Sequence, residues 1–171
     1  MNKQYIRLII ALAVVLGISG IFILYLSMPL IGGKTVVLKT QPVDPFDIFR
    51  GQYMTISYEI SRIDFPPEAK EGDPVYVSLE EDEDGIWNGK GSSLNKPDGG
   101  VFIKGTLRQS WRGLTAEYGI EQYFFERNAE LPWRNIQVKA KIGNSGQARI
   151  VELLQDGKPI NITYREPRLT S

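Results

Sequence analysis

From Leu8 to Ile31 the chain runs for 24 residues without a formal charge, most of them Leu, Ile, Val and Ala. About 20 such residues carry a helix across the hydrocarbon of a bilayer. No polar face breaks the run between Leu8 and Leu26, so it does not read as the core helix of a soluble domain. A cleavable leader has a shorter apolar stretch, about 7–15 residues, closed by a small-x-small site. Here the run ends in Tyr25-Leu26-Ser27-Met28-Pro29-Leu30, which offers no such site. The expectation is an uncleaved, single-pass anchor. Lys3 and Arg7 precede the span in a tail without acids, and Lys34 and Lys39 follow it. The positive-inside tendency then keeps the tail in the cytoplasm. The expected division is a tail, anchor and Gly32-Gly33 joint over residues 1–33, and a head over 34–171. The expected place is the inner membrane, with the head periplasmic or extracellular.

Composition narrows the chemistry of that head. With Lys3 and Arg7 in front of the span, it holds 18 basic and 20 acidic residues, a net of −2. That balance does not attract nucleic acid, and it does not describe a polybasic module hugging a membrane. The chain has no His and no Cys. The commonest general base, zinc-thiolate sites, thiol nucleophiles and disulfides are therefore all excluded. Catalysis would have to come from Ser, Thr, Lys, Tyr, Arg or carboxylates, and no cofactor is expected.

Beyond the joint the pattern is that of short strands. Residues 34–40, 74–79, 101–108, 136–142 and 148–154 alternate or cluster apolar residues, and Leu114 to Ile120 reads as the return partner of 101–108. Asp84-Gly85 and Asp156-Gly157 are hairpin signals. Gly89 to Gly100, rich in Gly, Ser, Asn and Pro, is expected to be a connection. Residues 158–163 suggest a last strand. About eight or nine strands argue for a mainly β head, an all-β sandwich or partly open barrel.

One stretch organises the rest. Pro42-Val43-Asp44-Pro45-Phe46-Asp47-Ile48-Phe49-Arg50-Gly51 makes a tight corner, in which Asp44 suits a cap and Pro45 the position after it. From Gln52 the period is two. Met54, Ile56, Tyr58 and Ile60 share one face, and Tyr53, Thr55, Ser57 and Glu59 the other. A half-buried strand with a wet face is expected. A guanidinium fixed at such a corner can take a carboxylate in two parallel hydrogen bonds. Asp44, Asp47, Arg50, Tyr53, Thr55 and Ser57 are therefore the candidate contact residues, although Arg50 paired with Asp47 or Asp44 would equally lock the corner.

Arg50-Gly51-Gln52-Tyr53-Met54-Thr55-Ile56-Ser57-Tyr58 resembles the signature of the GDYXXLXY domain family, bacterial membrane-associated proteins of uncharacterised function. Tyr118-Gly119-Ile120-Glu121-Gln122-Tyr123-Phe124 resembles a second block, and Asp156-Gly157-Lys158 a closing hairpin. Gln52 stands where the signature has Asp, and Ile56 where it has Leu. Members tend to be encoded beside, or fused to, polytopic membrane proteins. The resemblance thus implies a periplasmic or extracellular accessory domain and supplies no reaction; the expected partner of such a head is a polytopic membrane protein.

Two other chemistries have residues to stand on. Glu80, Asp82, Asp84 and Gly85 fall at positions one, three, five and six of a calcium loop, but Gly91 occupies position twelve, where a bidentate Glu belongs. A ligand- or metal-sensing head would use this run, whereas a solvated hairpin tip would need the same residues. Ser27-Met28 at the membrane edge faintly resembles the type I signal peptidases, with Lys104 as the buried base that would deprotonate Ser27. Pro29 directly after Met28 departs from that family. Trp87, Trp111, Trp133, Tyr123, Phe124 and Phe125 would line a cleft or fill a core.

Overall fold

A computed structural model describes residues 3–41, 53–124, 129–130 and 135–164. One helix, α1, covers Lys3–Gly32. At 1.5 Å per residue it is about 45 Å long. Its segment Lys3–Ser27 is long and apolar enough to cross a membrane, and none of that segment's apolar stretch is buried against the rest of the chain. Leu8, Leu12, Ile18, Ile21 and Leu24 stand exposed all round it.

The rest is mostly β. The strands are β1 (Lys34–Lys39), β2 (Tyr53–Thr55), β3 (Pro74–Glu81), β4 (Trp87–Ser93), β5 (Val101–Ser110), β6 (Gly113–Glu117), β7 (Gln122–Phe124), β8 (Ala129–Glu130), β9 (Ile136–Ile142), β10 (Ala148–Gln155), β11 (Lys158–Pro159) and β12 (Thr163–Tyr164). They form two four-stranded sheets, ordered β1-β9-β10-β11 and β4-β3-β5-β6, and two ribbons, β2-β7 and β8-β12. Every pairing is antiparallel.

Alternation along the strands explains how the sheets meet. Val36 and Leu38 of β1, Val138 and Ala140 of β9, Val75 and Val77 of β3, and Ile103 and Leu107 of β5 all point into one shared core and are buried. The sheets also join at their margins. The backbone N–H of Lys104 donates to the carbonyl of Gly146 (2.8 Å) at a point on β5 that β6 does not reach. On the other side β1 lies beside β4, with the Lys34 ammonium 5.4 Å from the Trp87 ring centre. The result is a partly closed barrel of two curled sheets. Gly146 permits the first of these joins. Its φ is +82°, and a Cβ there would meet the Phe102 ring at 2.8 Å and Lys104 backbone at 3.0 Å.

Three expectations are corrected. The alternating stretch from Gln52 to Ile60 is not one strand. β2 ends at Thr55, Tyr58 makes an isolated bridge with Thr40, and Glu59–Ser61 form a 3-10 turn. The periodicity nonetheless gives the burial correctly, because Met54, Ile56, Tyr58 and Ile60 all enter the core. They do so while the backbone passes from one partner to another. The first part of Gly89 to Gly100 is strand rather than connection, since β4 continues to Ser93 opposite β3. Glycine suits it because Ile63 and Val77 side chains approach within 3.4 Å of where a Cβ on Gly89 would sit. The last strand is two short pieces, β11 and β12.

Candidate functional site

The two blocks that carry the resemblance come together in space. β2 pairs with β7 in the register Tyr53↔Phe124, Met54↔Tyr123 and Thr55↔Gln122. The ladder ends there, and the next backbone N–H, of Ile56, donates to the Glu121 carbonyl (2.6 Å). Two tyrosines then lock the blocks reciprocally. The Tyr58 hydroxyl donates to the Ile120 carbonyl (2.5 Å), and the Tyr118 hydroxyl donates to the Ile60 carbonyl (2.5 Å). Each phenol reaches the carbonyl two residues beyond the other tyrosine. Their rings meet edge to face, with centroids 6.4 Å apart. On the far side, the Gln41 N–H donates to the Ser57 carbonyl (2.8 Å), tying the seam to the end of β1.

Local chemistry explains why this seam forms. Gly119, at φ +77°, turns the chain so that the Glu121 carboxylate accepts the N–H of Tyr118. Gly105 leaves room for the second tyrosine, since a Cβ there would lie 2.8 Å from the Glu117 carbonyl and 2.9 Å from the Tyr118 ring. Burial, and then the nearby Glu121 carboxylate, pushes both phenols far above the ordinary tyrosine value. They remain protonated donors at any physiological pH. Both hydroxyls are buried and spent on backbone carbonyls, so the end of the signature is built as a structural clasp.

The outer side of this seam faces solvent. Thr55 and Gln122 are exposed on one rung. Phe124 is 70% exposed and lies opposite Tyr53. Of the candidate contact residues, Tyr53 and Thr55 thus belong to the ribbon, and Ser57 is half-buried beside it. Asp44, Asp47 and Arg50 lie outside the described residues. Tyr118, Gln122 and Phe124 complete the site. Their partnership with residues 53–60 rests on contacts some 60 positions apart, which the local pattern does not encode.

The remaining candidates fall elsewhere. Asp82 turns its carboxylate onto its own hairpin, accepting the N–H groups of Asp84 (3.0 Å) and Ile86 (2.9 Å) and the amide of Asn88 (2.8 Å). Glu80 is paired with Lys90 at 2.8 Å. Among the described residues no group of three carboxylates is placed to hold a metal. Ser27 is part of α1. Lys104 is exposed rather than buried, because its position on β5 faces outward, and its ammonium lies 5.8 Å from the Tyr76 ring centre. The buried lysine that a serine–lysine pair would need is therefore not found at this position. Trp87 is in the core, and Trp111 is 83% exposed at the β5–β6 turn with Arg112 stacked 4.1 Å from its ring. Phe125 and Trp133 lie outside the described residues.

A family model described as GDYXXLXY protein matches residues 15–153. That span takes in most of the helix, both signature blocks and the greater part of both sheets. No curated protein and no solved structure matches the chain.

Proposed function

The chain belongs to the GDYXXLXY protein family, and on that footing we propose that it is a membrane-anchored accessory protein. In this reading α1 stays attached and spans the inner membrane once, and the β head stands outside the cytoplasm. There it docks onto a polytopic membrane protein through the signature seam. The observation that carries the reading is the construction of that seam. A short ribbon outside both main sheets is pinned from within by the tyrosine clasp and presents Thr55, Gln122 and the ring of Phe124 to solvent. Contact surfaces gain from aromatic anchors on rigid supports, because little conformational freedom is lost on binding. The bare apolar helix supports the membrane half of the reading.

The test is site-specific photo-crosslinking in intact membranes. A photoreactive residue at Thr55 or at Phe124 is expected to trap the same polytopic neighbour, and one at the exposed Lys158 is not. Arg50→Ala and Tyr53→Ala should leave the head folded and abolish co-purification of that neighbour. If both seam positions trap nothing and both variants bind as the native chain does, the docking surface is wrong. A mature chain beginning beyond Ile31 would replace the anchor with a leader, and a tag on Ser171 reachable only from the cytosol would reverse the topology.

A further inference from the structure

Helix α1 is longer than a bilayer needs. Its 30 residues span about 45 Å, against about 30 Å of hydrocarbon. Two sections of it could lie in lipid. The uncharged run from Leu8 to Ile31, 24 residues or about 36 Å, would fit only by tilting about 34°. The section from Tyr5 to Tyr25 advances 20 residues, about 30 Å, and fits upright.

The exposure of the helix separates the two. From Ile21 to Tyr25 each side chain is between 61% and 71% exposed, whereas Leu26 falls to 40% and Ser27 is half-buried. At this end α1 touches β9 and β10, and only Gly33 lies between α1 and β1. The rest of the chain thus begins to cover the helix one residue past Tyr25, and lipid does not close round it there. Tyr5 is as exposed as Tyr25. At about 100° per residue the two rings lie about 200° apart around the helix axis. A single neighbouring helix would not meet both, whereas a bilayer surrounds both. At a membrane surface a tyrosine keeps its ring in the hydrocarbon and its hydroxyl among the headgroups. Arg7, about 3 Å deeper than Tyr5, reaches the same layer along its flexible stem.

We propose that a phospholipid bilayer holds α1 between two interfacial collars, Tyr5 at one surface and Tyr25 at the other, and that the helix from Leu26 onward belongs to the head. The proposal rests on the membrane-anchor reading above and adds to it where the hydrocarbon begins and ends. From Leu26 to Gly32 the helix rises about 10 Å. The polar layer on each side of a bilayer is about 5–7 Å thick. This section therefore crosses the headgroups and delivers β1 to their outer surface, so the barrel stands clear of the hydrocarbon.

The chain has no native cysteine, so single spin labels can be placed along the helix of the full chain. Labels at Val15→Cys, Ser19→Cys and Ile23→Cys are compared in dioleoylphosphatidylcholine vesicles. Depth is read from collisions with oxygen, which prefers lipid, against those with a nickel chelate, which stays in water. Val15 lies midway between the tyrosines and is expected to be deepest, with Ser19 about 6 Å and Ile23 about 12 Å nearer the head's surface. Tyr25→Ala should release the outer collar and sink the Ile23 label toward the depth that Ser19 has in the native chain. Tyr25→Trp, which keeps an interfacial ring, should restore the native depth. If all three labels are sheltered from nickel but Ser19 is the deepest, as the midpoint of Leu8 to Ile31 requires, the register is overturned and the anchor stands. An Ile23 label whose depth ignores Tyr25→Ala would overturn the collar and also leave the anchor in place. If none of the three labels is sheltered, the anchor itself fails and the proposal with it.

Discussion

Tyr58 occupies the last position of the family signature, and its surroundings explain why an aromatic alcohol belongs there. A phenylalanine would fill the same space and leave the Ile120 carbonyl buried without its donor. An unsatisfied buried acceptor costs about 1–3 kcal/mol. Tyr58→Phe and Tyr118→Phe are each expected to lower unfolding free energy by that amount in urea titration of the reconstituted protein. Because the two phenols clasp the same pair of segments, the double variant should fall short of the sum of the singles. Full additivity would mean the two bonds act independently. Gly105→Ala should cost about 1–3 kcal/mol, since its methyl group collides with the Glu117 carbonyl and the Tyr118 ring. The clasp also sets an alkaline limit. Both folded phenols titrate above the unfolded value of 10.0, so the stability they contribute is intact below pH 10 and is lost as the pH climbs toward their folded values. In a base titration followed by tyrosinate absorbance, these two residues should ionise only together with cooperative unfolding. Ionisation while the head remains folded would contradict the burial.

At the scale of the element, the β3–β4 hairpin shows one side chain setting a turn. The Asp82 carboxylate is held below its ordinary value of 3.8, chiefly by the Ile86 N–H, with Asn88, Asp84 and Lys39 adding to the effect against the desolvation of the carboxylate. A depressed folded value means the contribution is present above pH 3.8 and is lost as the pH falls through the folded value. Below pH 3.8 the Asp84 and Ile86 amides should therefore lose exchange protection before the core strands do. Asp82→Ala should produce the same local loss at neutral pH, read by hydrogen exchange. Unchanged exchange at both amides would show that the turn holds without the carboxylate. This hairpin was legible in the sequence because Asp84-Gly85 specifies a turn and Val75, Val77 and Leu79 specify a face. The ordered course of β4 was not, because its glycines read locally as a connection, while β3 and the Ile63 side chain make close packing their role. The seam shows the same division. Alternation over Met54 to Ile60 revealed which side chains are buried, yet the backbone changes partners from β7 to Thr40 within those residues. Partner identity is set across 62 residues between Tyr58 and Ile120, a distance over which side-chain period carries no information.

For the whole molecule the decisive dimension is the single glycine between helix and barrel. On the proposed reading, a long flexible linker would let the head diffuse away from the bilayer, and its weak contacts would then be made at low effective concentration. One residue removes that freedom, so the small exposed seam would act at high local concentration. No point substitution tests this. Inserting ten Gly and Ser residues between Gly33 and Lys34 leaves every strand pairing intact, and the head should unfold at the native temperature. Such a linker has a root-mean-square span of about 17 Å. Crosslinking from Thr55 and Phe124 to a membrane neighbour should therefore weaken. If it persists undiminished, the seam binds strongly enough to need no tether. The short joint would then be a matter of chain economy and not a means of holding weak contacts together.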